Sequence, residues 1–146
     1  MELILGIDPG ISGGAVLLAK DKVFIETVVF SHITSTDVAN WLIKATPDIT
    51  IAYIEQVHSF PGQGVSSTFK FGQNFGLWIG FLTALKIPFQ FVQPLKWQTA
   101  MSCKTGGDKN ISKARAQELF PHLKITHANA DALLIAEYGR RKEIGL

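Results

Sequence analysis

Residues 3–7 (Leu-Ile-Leu-Gly-Ile) form a short apolar run that stops at Asp8-Pro9-Gly10. The run reads as a strand, and its end carries a carboxylate. Two other acids have similar surroundings. Glu55 follows Ile51-Ala52-Tyr53-Ile54, and Asp131 sits inside Ala128-Asn129-Ala130-Asp131-Ala132-Leu133-Leu134-Ile135-Ala136. A carboxylate beside apolar chain is costly to desolvate unless it is paired or binds a cation. Any fold for this chain must therefore give these three acids a partner or a shared counterion.

The remaining pattern predicts a mixed layout. Residues 15–19 and 23–30 are further strand-like runs, with Asp21-Lys22 as a tight turn, so the first three strands form an antiparallel meander. Ser35 or Thr36 is expected to cap a helix over 37–45, and Pro47-Asp48 to break it. Residues 49–54 then make a fourth strand ending at Glu55. Residues 58–64, with Pro61-Gly62-Gln63-Gly64, read as a loop. Ser66 or Ser67 is expected to cap a long helix reaching about residue 86. Residues 89–92 give a fifth strand, and Pro94 opens a short helix through Met101. A polar, glycine-containing loop over 102–110 precedes helices over 111–120 and 128–142. The order β-β-β-α-β-α-β-α-α-α is an α/β arrangement of five strands flanked by helices.

A chain of 146 residues supports one domain, taken as residues 1–146. With 47% hydrophobic and 18% charged residues it is not disordered. The single Cys103 excludes an internal disulfide and a cysteine-based zinc cluster, and fits a reducing compartment. No basic segment precedes the first apolar run, and the apolar stretch 75–85 is too short to span a bilayer. A cytoplasmic protein with no membrane partner is expected. The formal charge is +2, but residues 1–95 carry −2 and residues 96–146 carry +4. An anionic partner is therefore sought on the C-terminal third, against the competing reading of an ordinary solvated surface.

Asp8 and Glu55 fall at the carboxyl ends of predicted strands, where α/β sheets place function. If strands 1 and 4 are neighbours, the two acids meet. A helix entering with Asp131 in its first turn adds a third. Clustered carboxylates with no arginine nearby suit a hard divalent cation, Mg²⁺ or Mn²⁺. Two such ions support phosphodiester hydrolysis. The alternative is that each acid caps a turn or helix, the simpler reading for Asp131 alone.

Three motifs carry a family resemblance. Ile4-Leu5-Gly6-Ile7-Asp8-Pro9-Gly10-Ile11-Ser12-Gly13-Gly14-Ala15 resembles the opening strand and turn of the RuvC family of Holliday-junction resolvases. Ile54-Glu55-Gln56-Val57 resembles its second acidic motif, and Ala130-Asp131-Ala132-Leu133-Leu134-Ile135-Ala136 its C-terminal helix. They occur in the family's order and together span nearly the whole chain. Residues 61–67 and 136–141 look most like the phage-borne, RuvC-like branch. An Asp-x-Gly turn also opens actin-type and hexokinase-type ATPases, but that fold needs a second, duplicated domain.

The resemblance implies a ribonuclease H-like fold, a homodimer in a bacterial or phage-infected cytosol, and Mg²⁺-dependent (or Mn²⁺-dependent) cutting of four-way DNA junctions in recombination and repair. Two ions per active site are expected, with Asp8 bridging them and Glu55 and Asp131 each binding one. The family usually has a fourth ligand just before the last Asp. Ala128 cannot serve, whereas His127 lies four residues earlier on the same helical face, as ligand or proton shuttle. Asn129 is expected to cap the helix instead. Where the family often has an aromatic wedge for the junction's bases, this chain has His58, with Phe60 two further on. Of the family's two essential lysines, the second matches Lys109 and the first is Lys96 or Lys104. Lys113 and Arg115 are further candidates for phosphate contact.

Gly72, Gly76 and Gly80 recur every four residues on the long helix, which predicts close packing against the sheet or a second subunit. The interleaved Phe69, Phe71, Phe75, Trp78 and Phe81 read as core. The competing functions are a nuclease of the same fold acting on flaps, forks or RNA–DNA hybrids, and a branched-DNA-binding module without catalysis.

Overall fold

A computed structural model describes residues 1–146. Strand β1 (Leu3–Asp8) is buried at every residue, as is β2 (Gly14–Ala19). Strands covered on both faces belong inside a sheet, and the order is β3-β2-β1-β4-β5, with β3 at Ile25–Val29, β4 at Ile49–Glu55 and β5 at Phe89–Val92. The β1-β2-β3 meander is antiparallel, as the short turns require, while β4 and β5 run parallel to β1.

Side chains alternate between the two faces of the sheet. Leu3, Leu5 and Ile7 point into a core with α1 (Ser35–Ala45) and α2 (Val65–Ala84), built around Leu42, Trp78 and Leu82. Ile4, Val16 and Tyr53 point the other way, onto α3 (Pro94–Ala100), α4 (Lys109–Leu119) and α5 (His127–Glu143). Asp8 shares the parity of Ile4, and Glu55 that of Tyr53. Both acids are therefore delivered to the α5 side.

Two glycines let α5 lie directly on the strands. A Cβ on Gly6 would stand 2.4 Å from the Ala132 carbonyl oxygen and 2.5 Å from the Ala136 nitrogen. A Cβ on Gly139 would stand 2.4 Å from the Tyr53 ring. No helix of the chain is long and apolar enough to cross a membrane.

The element order matches the sequence expectation, and the differences are local. Strand β3 covers only Ile25–Val29, because Lys22 adopts a left-handed turn conformation and β3 is an edge. The caps fall earlier than expected. Thr34 caps α1 in a reciprocal box with Asp37, and Gly64, with no side-chain bond, precedes α2. Thr126 caps α5, with Asn129 as the returning member of the box and not the cap itself. Asp131 is consequently the fifth residue of α5, beyond its first turn. Helix α4 starts at Lys109, two residues before the expected start, because Asp108 accepts the Asn110 N–H and caps it.

The glycine stripe does not pack on the sheet: a Cβ on Gly72, Gly76 or Gly80 meets nothing within 4 Å. Of the aromatics on α2, Trp78 is fully buried and Phe75 and Phe81 partly so, whereas Phe69 is 67% exposed and lies outside the core.

Candidate active site

Strands β1 and β4 are paired in parallel, with Ile7 opposite Ile54, one residue before each acid. Asp8 and Glu55 therefore end adjacent strands side by side. Helix α5, held on Gly6, brings Asp131 above them. The three carboxylates line one cleft of about 250 Å³, together with Phe71, Gln98, Thr105, Lys109 and Ser112.

The turn after β1 is shaped around Asp8. The Gly10 N–H donates to Asp8 Oδ1 at 3.1 Å, and the Gly13 N–H to the Gly10 carbonyl at 2.9 Å. A Cβ on Gly13 would stand 2.3 Å from the Asp8 carbonyl oxygen, so only glycine lets the chain fold back there. Asn74 of α2 donates to the Pro9 carbonyl and ties the turn to the helix.

Burial dominates the electrostatics. It pushes Asp8 up to about 6, with the Asp131 charge adding to it and the Gly10 N–H and Lys109 opposing. It pushes Glu55 up to about 7, reinforced by Asp8 and opposed by the Trp97 indole. Burial also raises Asp131, against the Ser112 hydroxyl and the charges of Lys109 and His127. Lys109 is thus the one cation that bears on all three acids. The Ser112 hydroxyl lies near Asp131 but its proton goes to the Lys109 carbonyl at 3.2 Å, which leaves Asp131 Oδ1 buried with no hydrogen-bond partner.

An orphaned carboxylate oxygen beside two acids of raised pKa has the donor chemistry of a hard-cation site. The side chains line the cleft without converging on one point, since no three His, Cys, Asp or Glu side chains gather closely enough to hold one ion. In donor type, charge and location the residues fit a divalent cation.

The other expected site residues are distributed unequally. Lys109 faces the cleft. Lys96 and Lys104 are exposed and do not line it. Lys113 is half-buried on α4. Arg115 is partly engaged within the protein: its Nε donates to the Met101 carbonyl at 2.7 Å and its Nη1 to Glu118 at 3.0 Å. His127 is exposed at the start of α5, outside the cleft lining, with its Nε2 2.9 Å from Asn110 Oδ1. His58 and Phe60 lie in the exposed loop after β4, closed by the Gln63 N–H donating to the Phe60 carbonyl at 3.2 Å.

Several cleft residues escaped the sequence reading. Phe71, read as core, is half-buried and faces the acids. Trp97, wholly buried, donates from Nε1 to Glu55 Oε2 at 2.7 Å. Gln98 and Thr105 carry no motif, and only the folding of α3 and the glycine loop beneath the cleft reveals them.

No protein-family model and no curated protein matches this sequence. Solved structures do match the fold. One is Thermus thermophilus RuvC in complex with a Holliday junction substrate, similar with a TM-score of 0.64 at 17% identity, covering 99% of this chain and 97% of that one. Another is a Thermus thermophilus RuvC structure, with a TM-score of 0.61 at 18% identity over 98% and 96% of the two chains. At such identities the likeness speaks of architecture, and it establishes that this chain has a RuvC-like, ribonuclease H-like fold.

Proposed function

We propose that the protein is a structure-selective endodeoxyribonuclease that resolves four-way junctions and related branched DNA, acting as a homodimer with Mg²⁺ or Mn²⁺. The observation that carries this reading is the shared cleft of Asp8, Glu55 and Asp131 on the RuvC-like fold. The motif resemblance supports the phage-type branch in particular.

Asp8, Glu55 and Asp131 would hold the cations, which when bound supply Lewis-acid activation of water and stabilise the leaving oxygen. Lys109 neutralises part of the carboxylate charge and faces the incoming phosphate. Phe71 offers a ring at the cleft wall, against which a sugar or base can rest. Trp97 holds one oxygen of Glu55, leaving Oε1 to face the cleft. The exposed glycine face of α2 is offered as the dimer contact, which gives two clefts for two strands.

The test is a cleavage panel of four-way junctions, flaps, forks and RNA–DNA hybrids with Mg²⁺, Mn²⁺ or EDTA. Wild type should cut junctions with either ion and not in EDTA. Asp8→Asn should lose roughly 10³-fold or more in rate while still binding junctions. His127→Ala tells whether that ring serves the chemistry. Preference for another substrate reassigns the nuclease. The competing reading is a branched-DNA-binding module without catalysis. Binding without cleavage under any metal would establish that alternative.

A further inference from the structure

The positive charge of the C-terminal third does not all serve the acid cleft. Arg140, Arg141 and Lys142 stand in the last turn of α5, at the opposite end from Asp131. With Lys22, from the turn between β2 and β3, they surround a separate cavity of about 360 Å³. Glu137 is its only acidic side chain, and it is 1% exposed. It accepts Arg140 Nε at 2.6 Å, Arg140 Nη2 at 2.9 Å and Arg141 Nε at 3.0 Å. Its carboxyl is held below the ordinary range: burial opposes this, and the two arginines and the charge of Lys22 outweigh burial.

The buried acid is thus occupied in fixing two guanidiniums. Arg140 Nη1 donates to the Lys20 carbonyl at 3.1 Å. Arg141 makes no hydrogen bond through its terminal nitrogens, and Lys22 and Lys142 make no ion pair. Their ammonium groups rest over the Phe120 and Tyr138 rings, 4.5 and 5.8 Å from the centroids. Four cations therefore face one buried acid. Complementing the helix macrodipole accounts for basic residues in a last turn. It does not account for Lys22, which arrives from another element, or for the buried acid that aligns the guanidiniums.

We propose that this cavity is a second phosphate-binding site, which takes a backbone phosphate of a DNA duplex arm outside the acid cleft. The choice of DNA rests on the nuclease reading above. Lys142 follows Asp131 by eleven residues, about three turns, so both lie on one helical face roughly 16 Å apart. At about 3.4 Å per base pair that distance is about five base pairs of duplex. Leu134, Ile135 and Tyr138, which lie between them on that face, are buried in the core, so a duplex arm would span from the cleft to the cavity over the elements that cover α5, a separation of about half a turn. A fixed guanidinium beside ammonium groups that hold no ion pair suits a phosphodiester.

The experiment measures binding of duplex and four-way junction DNA against salt concentration, in EDTA, so that cleavage never enters. The double variant Lys22→Ala/Lys142→Ala is compared with wild type and with Lys22→Arg/Lys142→Arg, each checked for an unchanged thermal midpoint. Losing that one phosphate contact should flatten the slope of log affinity on log salt by about 1. Affinity should fall about tenfold at low salt, and the arginine pair should restore most of both. An unchanged slope in the folded alanine variant overturns the proposal, as does a wild type that binds no DNA. Inorganic phosphate is the second arm. If it raises the midpoint of wild type but not of the variant while the DNA slope is unchanged, the cavity belongs to free phosphate and the DNA assignment falls. A wild type with the expected slope change that cuts nothing keeps the site and sinks the nuclease. A cutter with no slope change does the reverse.

Discussion

The indole N–H of Trp97 donates to Glu55 Oε2 at 2.7 Å from a ring with no solvent exposure. The acid that ends β4 is thereby fixed in orientation from beneath the cleft. A partner of this kind, one step behind a ligand, typically contributes about 10–100-fold in metal affinity or activity. Trp97→Phe keeps an aromatic core residue and removes the donor. Its apparent Mg²⁺ requirement for cleavage should rise by about that factor, at about 1–3 kcal/mol of stability. A metal titration at fixed substrate checks it, and an unchanged midpoint would show that Glu55 needs no such support.

The raised carboxyls dictate a pH trend. Asp8 at about 6 and Glu55 at about 7 bind protons more tightly folded than unfolded, where the ordinary values are 3.8 and 4.5. Between about pH 4 and 7 the folded state holds the extra protons, so stability falls as pH rises through that window. In EDTA the thermal midpoint should drop from pH 5 to pH 8, equivalent to a loss on the order of 4 kcal/mol. Asp8→Asn should flatten the trend, and Mg²⁺ should reverse it at pH 8. Thermal melts across pH decide, and a midpoint that climbs in EDTA contradicts the assignment.

Gly6→Ala should be among the most damaging single-methyl changes in the chain. The added carbon meets backbone atoms of α5 at 2.4 and 2.5 Å, which no rotamer change relieves. A destabilisation of about 1–3 kcal/mol or more is expected, with Asp131 displaced and activity lost beyond what the melting shift explains. Denaturant unfolding alongside single-turnover cleavage separates the two effects.

Gly76 presents the opposite case, because nothing lies within 4 Å of its missing side chain. In an isolated protomer Gly76→Ala should gain up to about 1 kcal/mol of helix propensity. If the stripe faces a twin subunit, Gly76→Leu should weaken self-association at least about tenfold while leaving the circular dichroism spectrum unchanged. Sedimentation equilibrium reads this, and a wild type that stays monomeric throughout removes α2 from the proposed interface.

The sheet and its acids were legible because they rest on the strongest signals, apolar runs of strand length and charges placed at their ends. Parity along β1 and β4 then fixes which face Asp8 and Glu55 share. The caps were less legible: Ser35, Thr36, Ser66 and Ser67 have the right chemistry, but Thr34 and Gly64 take the positions because cap choice depends on the incoming backbone angle. The lysines and arginines were the least legible. Only the family resemblance singled out Lys109, which faces the cleft; charge alone did not separate it from Arg115, whose guanidinium bonds a carbonyl and a glutamate. Phe71 read as a core aromatic and Trp97 carried no signal of its own, and only the tertiary arrangement turns one toward the acids and hangs Glu55 from the other.

The contacts of Gly6 and Gly139 also divide the molecule by tolerance. One lets a helix carbonyl settle onto a strand and the other lets an aromatic ring settle onto the helix, so α5 is pinned at two places along its length. A side chain at either position would lift α5 off the sheet. Asp131 is therefore registered to the sheet as firmly as Asp8 and Glu55 are, although it belongs to the last helix of the chain. A change in the loops around the cleft can therefore alter what it admits without altering the spacing of its acids.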